Sequence, residues 1–428
     1  MARVTATGGR TATTRHIPPK LALAVGMPAT PAPKGWKWSA LTDLARLESG
    51  HTPSRNHPEY WGGSIPWLGI RDARAHDGRR IDETEETINK LGIENSSARL
   101  LPAGTVCLSR TASVGYVVVM GRPMATSQDF VNWVCSKDLD PGFLKYLLIA
   151  EGDGLLRFAS GSVHQTIYFP EVKAFHICHP PRPEQQRIVA LLDEAFAGIA
   201  IAKANAERNL QNARALFESH LQAVFTRRGD GWVDRQLASL CREIAVGYVG
   251  PMKTQYKENG VPFLRSQNIR PFEVSMDNSM FIDEVFHRAL KKSQLRPGDL
   301  AIVRTGYPGT AAVIPTELPD SNCSDLVIAR PSKEIDPHFL AAFFNSSFGK
   351  QLVLGKSVGA AQKHFNITTA REVMLHVPPM PEQRSIVARV RALRAETQHL
   401  VQLYGRKLAS LRALERSLLH QAFVGELH

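Results

Sequence analysis

Four short stretches carry side chains suited to gripping a nucleic acid. Arg110-Thr111-Ala112-Ser113 and Arg304-Thr305-Gly306-Tyr307 each leave a β-prone run and enter a glycine-containing turn. An arginine so placed can donate two parallel hydrogen bonds to guanine O6 and N7, while hydroxyls suit phosphates or base edges. A structural ion pair is the competing reading for either arginine alone, and recurrence at both places favours DNA. Ser162, His164 and Gln165 lie in one glycine-flanked loop, and Gln362, Lys363 and His364 in another. A glutamine there can read adenine N6 and N7, against the plainer reading of a capping loop. Arg71, beside Asp72, and Arg265, Gln267 and Asn268 complete a polar rim at corresponding places. These sixteen positions are the candidate DNA-binding residues, with Thr111, Ser113, Thr305 and Tyr307 supplying hydroxyls. Trp36, Trp67, Trp232 and Phe263 read better as core than as base-stacking platforms.

Bond-making chemistry has no such support. Gly355-Lys356-Ser357 invites a phosphate-loop reading, but that motif needs glycine at position 350, where Lys350 stands. His179-Pro180-Pro181 has neither the acidic or amide residue nor the aromatic of an adenine-methyltransferase loop. Pro319-Asp320 and Glu171-Val172-Lys173 stand in the wrong order for a nuclease site. There is no H-E-x-x-H and no G-x-S-x-G, and the fifteen histidines are scattered. No catalytic residue and no metal site is expected.

The positioning elements follow from two long proline-free runs. P-P-R-P-E-Q-Q at 180–186 opens a run whose apolar residues fall at Ile188, Leu192, Ala195, Ile199, Ala202, Ala206, Leu210, Ala213, Phe217, Leu221 and Val224. Steps of three and four make a near-heptad seam, on a helix about 60 Å long. P-P-M-P-E-Q-R at 378–384 opens a second seam: Ile386, Val390, Leu393, Thr397, Leu400, Tyr404, Leu408, Leu411, Leu414 and Leu418. Two stripes in need of cover most simply pack on each other.

Outside the helices the second half of the chain repeats the first. Ser64-Ile65-Pro66-Trp67-Leu68 returns as Gly260-Val261-Pro262-Phe263-Leu264, and Leu101-Pro102-Ala103-Gly104 as Leu295-Arg296-Pro297-Gly298. Ser127-Gln128-Asp129-Phe130 pairs with Cys323-Ser324-Asp325-Leu326, and Asp140-Pro141-Gly142-Phe143-Leu144 with Asp336-Pro337-His338-Phe339-Leu340. The offset is 196 at Trp36/Trp232 and 198 at Pro183/Pro381. Such a period means two copies of a mixed α/β domain plus helix, not a solenoid. In each copy short strands, near 105–108, 116–120 and 129–135 in the first, precede an amphipathic helix. Its apolar face is Phe143, Leu144, Leu147 and Leu148, or Phe339, Leu340, Phe343 and Phe344. Residues 71–99 and 265–292 bear little relation to one another, as two modules with different targets would show.

A chain of 428 residues holds two or three such domains, and its formal charge of +12 fits an acidic partner, nucleic acid first. Five isolated cysteines argue for a reducing cytoplasm rather than a disulfide framework. No apolar run reaches a membrane span, so no membrane partner is expected. Residues 1–34, rich in Ala, Thr, Pro and Gly, read as a flexible tail.

Over residues 35–425 the chain resembles the specificity (S) subunits of type I restriction–modification enzymes. The resemblance rests on Gly50-His51-Thr52-Pro53-Ser54, Tyr60-Trp61-Gly62-Gly63-Ser64-Ile65-Pro66-Trp67, Gln128-Asp129-Phe130, Gly161-Ser162 and, twice, P-P-x-P-E-Q before a long helix. The second copy departs from it at Gly247-Tyr248-Val249-Gly250-Pro251. The resemblance implies an α+β chain with target-recognition domains at 35–183 and 227–381. Two long antiparallel coiled-coil helices, 184–226 and 382–428, would join and space them with pseudo-twofold symmetry. It implies a non-catalytic reader of a bipartite, asymmetric sequence in double-stranded DNA, working with two modification (methyltransferase) subunits and with restriction/translocase subunits. S-adenosylmethionine, ATP and magnesium would belong to those partners, and none to this chain. A stand-alone methyltransferase or nuclease, a helical scaffold, and a DNA-binding protein without restriction partners are the competing readings.

Overall fold

Short runs of β-branched and aliphatic residues alternating with glycine and proline turns give this chain many brief strands. The computed structural model describes residues 22–23, 32–111, 113–161, 165–227, 229–355 and 365–427. The chain divides into two units, Met1–Asn205 with Leu408–His428, and Ala206–Lys407.

In unit 1 the main sheet runs β1 (Ala45–Ser49), β4 (Phe130–Cys135), β2 (Val106–Ser109), β3 (Val117–Met120), all antiparallel, with Arg80–Ile81 added in parallel at the edge. Every residue of β2 is buried, which explains the apolar run Val106-Cys107-Leu108 before Ser109. Helix α1 (Pro141–Glu151) lies against this sheet. Proline suits its first turn, and the Asp140 carboxylate accepts the Gly142 and Phe143 amides at 2.8 and 3.3 Å. Phe143, Leu144, Leu147 and Leu148 are buried as the spacing requires, each stabilising by about 1.5–3 kcal/mol. A second sheet pairs Trp61–Leu68 with Glu86–Ile88 and, in parallel, with Ala125–Thr126. A third pairs Lys37–Ala40 with His176–His179. Ala22–Leu23 adds to the third sheet in parallel, so the segment expected to be a flexible tail contributes an edge strand.

His179 closes this third sheet as a neutral side chain. It is buried, with Nδ1 3.1 Å from the Pro180 carbonyl and Nε2 3.0 Å from the Ser39 hydroxyl. Burial holds its pKa below the usual 6.5. The unfolded chain then takes up the proton first on acidification, and stability present above pH 6.5 is lost as pH falls below it. The urea midpoint of unit 1 should drop as pH falls below 6.5, and His179→Gln should flatten that dependence.

Unit 2 repeats the strand order: β5 (Cys241–Val246), β8 (Leu326–Pro331), β6 (Leu300–Val303), β7 (Ala311–Val313). Val261–Leu264 pairs in parallel with Ser321–Cys323, as Trp61–Leu68 does with Ala125–Thr126. Val233–Gln236 pairs with Met374–Val377. Asp336 caps α3 (Pro337–Asn345) through the His338 and Phe339 amides at 2.8 and 3.4 Å. Phe339, Leu340, Phe343 and Phe344 of α3 are buried.

Each unit takes part of both long helices, α2 (Arg182–Thr226) and α4 (Met380–Phe423). They begin two residues earlier than read from sequence, with Pro183 and Pro381 in the first turn, where no amide is needed. In unit 1, Ile188 and Leu192 share a core with Leu419, Ala422 and Phe423, and Lys203 meets Glu415 at 2.5 Å. In unit 2, Leu221 and Phe225 share one with Ile386, Val387 and Val390. Within each unit the start of one helix therefore meets the end of the other. All eleven seam positions of α2 are buried or half-buried. On α4, Leu414 is 45% exposed, and Glu415 takes the inward position through its ion pair with Lys203. Helix α4 stops at Phe423 rather than running to 428. Gly425 adopts φ 77°, and the Glu426 amide turns back to the Gln421 carbonyl at 2.9 Å, a left-handed cap that satisfies a terminal acceptor.

The repeated glutamine of P-P-x-P-E-Q fastens each helix to its unit. Gln185 Oε1 accepts the Asp140 amide at 2.8 Å, while Nε2 donates to the Asp138 and Pro180 carbonyls at 3.0 and 2.9 Å. Gln383 repeats this at the Asp336 amide (2.8 Å) and the Glu334 and Pro378 carbonyls (3.1 and 2.9 Å). Both side chains are fully enclosed, at 0% and 1% exposure.

Candidate nucleic-acid interface

The loops that bear the candidate residues leave one end of the sheets in each unit. In unit 1, the parallel pair Leu68/Thr126 ends beside Gly69 and Ser127, whose amide donates to the Leu68 carbonyl at 3.0 Å. The His51 amide joins from the Gly50 loop, bonding the Thr126 carbonyl at 2.8 Å, and the Arg110 amide bonds the Asp129 carbonyl at 2.7 Å. The Ile167 amide returns to the Arg110 carbonyl at 2.9 Å. The Gly50, Gly69, Arg110, Ser127 and Gln165 segments thus form one rim. Glycine is required at position 50, because a Cβ there would lie 1.9 Å from the Ser127 carbonyl oxygen.

Unit 2 builds the same rim. The Ser324 amide bonds the Leu264 carbonyl (2.9 Å), the Tyr248 amide the Cys323 carbonyl (2.8 Å), and the Phe365 amide the Arg304 carbonyl (3.1 Å). Gly247 stands where Gly50 does, and a Cβ added to it would lie 2.9 Å from the Cys323 carbonyl oxygen.

On these rims the candidates divide. Arg110 donates to the Gln128 carbonyl at 3.0 Å and the Ile167 carbonyl at 3.4 Å, and its guanidinium lies 5.0 Å from the Phe169 ring centre. Burial lowers its pKa from the usual guanidinium value, with Asp129 opposing. Arg304 donates to the Phe365 carbonyl at 3.2 Å and pairs with Asp325 at 3.0 Å. Both arginines thus make the structural contacts weighed against DNA for either alone, and the brace recurs across each rim. Thr305 donates to the other Asp325 oxygen at 2.6 Å, and Asp325 itself holds φ 53°. The reading of Asn268 as a DNA-binding residue is corrected. It is fully buried, accepts the Arg265 amide at 3.0 Å and donates to the Ser275 and Asp277 carbonyls, so it caps the loop from inside. Arg265 is half-buried, bonding the Asn278 carbonyl at 3.2 Å with Tyr256 alongside.

Arg71, Gln165, Gln267 and Tyr307 remain exposed on the rims. The Arg71 side chain is 85% exposed and reaches Glu85 only at 3.6 Å. Gln267 touches the Asn278 carbonyl at 3.2 Å. Thr111 and Ser113 are half-buried in the turn after β2. Ser162, His164, Gln362, Lys363 and His364 lie outside the described residues. Sequence reasoning missed Val249, 71% exposed beside Tyr248 on the unit 2 rim. Its signal was an apolar residue inside the glycine- and proline-bounded string 247–251. Trp67 and Phe263 are buried, as read, and Trp67 donates to the His51 carbonyl at 3.1 Å. Among the described residues no cluster of three or more His, Cys, Asp or Glu could hold a metal ion.

The family model for the type I restriction modification DNA specificity domain matches residues 33–210, which include the first rim and the start of α2. Over those residues the chain is similar to that family. Beyond the matched domain, the chain's similarity to specificity subunits runs through both units. The MjaIX type I restriction enzyme specificity subunit of Methanocaldococcus jannaschii is 24% identical over 369 residues, covering 82% of this chain and 84% of that one. The HindI specificity subunit of Haemophilus influenzae is 32% identical over 106 residues, 25% of this chain and 22% of its own. Among solved structures, a chain from a study of complex assembly in the type I R-M system superposes with TM-score 0.75 at 20% identity, covering 93% of this chain and all of that one. The HsdS subunit from Thermoanaerobacter tengcongensis gives 0.59 at 20% identity, covering 93% and 99%. At such identity the structural likeness is one of fold. No helix among the described residues is long and apolar enough to cross a membrane.

Proposed function

We propose that this chain is the non-catalytic DNA reader of a type I restriction–modification complex, in which each unit reads one half of a bipartite, asymmetric target. One observation carries the reading: the same rim is built twice on the same strand order, with the bracing residues retained and the exposed side chains changed. A brace repeated under unlike side chains is what two sensors of unlike sequences require. The net charge of +12 supplies the sequence-independent attraction to duplex DNA. The long helices, shared between the units, act as the spacer and as the platform for two methyltransferase subunits, with restriction/translocase subunits beyond them. Methylation of adenine with S-adenosylmethionine, and ATP- and magnesium-dependent cleavage, belong to those subunits. The complex works in the cytoplasm.

Mapping methylated adenines in cells expressing this chain with its methyltransferase tests the proposal. A split motif with an unspecified gap is expected, and deleting about four residues, roughly one turn, from both α2 and α4 should shorten that gap. A continuous motif, or a gap indifferent to the deletions, contradicts it.

A further inference from the structure

The two rims differ in kind at two equivalent positions. Two residues after the tightly packed Gly50 or Gly247 stands Thr52 in unit 1 and Val249 in unit 2. Three residues after the bracing arginine stands Ser113 in unit 1 and Tyr307 in unit 2. The turns themselves match: the Ser113 amide bonds the Thr111 carbonyl at 2.6 Å and the Tyr307 amide the Thr305 carbonyl at 3.1 Å. Gly115 closes back on Ser109, and Gly309 on Val303, both at 3.0 Å. One rim thus carries small hydroxyl side chains where the other carries a phenol ring and a branched aliphatic chain.

The unit 2 side chains are held out in solvent. Tyr307 is 84% exposed and Val249 71%. The turn under Tyr307 is fixed on both sides: Asp325 takes Arg304 at 3.0 Å and Thr305 at 2.6 Å, while Gly306 and Gly309 adopt φ of 82° and 89°. A rigid turn gives up little conformational freedom on binding, so an exposed ring upon it is prepared for contact rather than for burial in its own unit. Base edges in the major groove present one apolar group, the C5 methyl of thymine.

Resting on the DNA-reader function proposed above, we propose that Tyr307 and Val249 are specificity-determining residues that recognise thymine methyl groups in the half-site read by unit 2. Ser113 gives unit 1 a hydroxyl at the place Tyr307 holds in unit 2, while the Thr52 hydroxyl donates to the Gln128 side chain. Arg304, Thr305 and Asp325 are positioning residues, which aim the ring without touching a base.

The test uses the full chain assembled with its methyltransferase subunits and a duplex of the mapped target, in which each thymine in turn is replaced by deoxyuridine. The wild type should lose about fourfold in affinity for each contacted methyl. Tyr307→Ser should weaken binding about tenfold and abolish the uracil penalty at its thymine, and Val249→Ser should do the same at a neighbouring one. Penalties in the other half-site should persist, and melting temperatures should hold, because both side chains are exposed. Uracil penalties identical in the wild type and both variants would overturn the proposal. So would an affected half-site that lacks thymine, or variants that weaken assembly with the methyltransferase but leave base preference unchanged. Failure of the wild type to select any sequence would instead refute the DNA-reader function itself.

Discussion

Gln383→Ala should destabilise unit 2 by about 3–5 kcal/mol, and Gln185→Ala should do the same to unit 1. The glutamine amide satisfies one amide and two carbonyls in each unit, at 2.8 to 3.1 Å. Truncation leaves those groups without partners in a space too small to hydrate freely, at roughly 1–3 kcal/mol for each buried orphan. Gln383→Glu separates bonding from packing. Its carboxylate can still accept the Asp336 amide, but its second oxygen faces the Glu334 and Pro378 carbonyls, where a donor is needed. Protonation restores a donor, so the folded-state pKa of this glutamate is raised. The penalty is then full above that pKa and shrinks as pH falls through it. Urea unfolding of each variant, followed by a probe in the altered unit, measures the effect. Losses under 1 kcal/mol would show that water replaces the amide.

Binding to target DNA should weaken about a thousandfold between 50 and 200 mM salt if about six phosphates are contacted, with log affinity falling against log salt at a slope near −5. The net charge of +12 and the exposed Arg71 motivate this expectation. Arg71→Ala should then reduce the slope by about 1 while weakening all sequences alike, as loss of a phosphate contact does. Arg304→Ala should act differently. Its guanidinium is committed to Asp325 and the Phe365 carbonyl, so affinity should fall with the slope unchanged. A flat salt dependence for the wild type would contradict the electrostatic role.

Periodicity and repetition were enough to place α1, α3 and nearly the whole seams of α2 and α4, because those patterns depend on local geometry. A helix needs an apolar stripe every three or four residues, and a cap such as Asp140 or Asp336 lies within one turn of what it caps. Leu414 shows where this ends. By spacing it belongs in the seam, yet Glu415 is inward because Lys203, more than two hundred residues earlier, receives it. The edge strand at Ala22–Leu23 likewise depended on a distant partner, the strand His176–His179.

The candidate site divides along the same line. Sequence alone indicated a mixed α/β chain with a long helix, and it singled out loops that carry polar and basic side chains. Only the tertiary structure decided which of those residues face outward. Arg110, Arg304 and Asn268 have the chemistry of DNA readers, and folding directs that chemistry inward to carbonyls, a carboxylate and a loop's own amides. Arg71, Gln165, Gln267 and Tyr307, with the unsuspected Val249, stay at the surface. A donor's type is local, but whether it is already satisfied depends on segments brought from far along the chain.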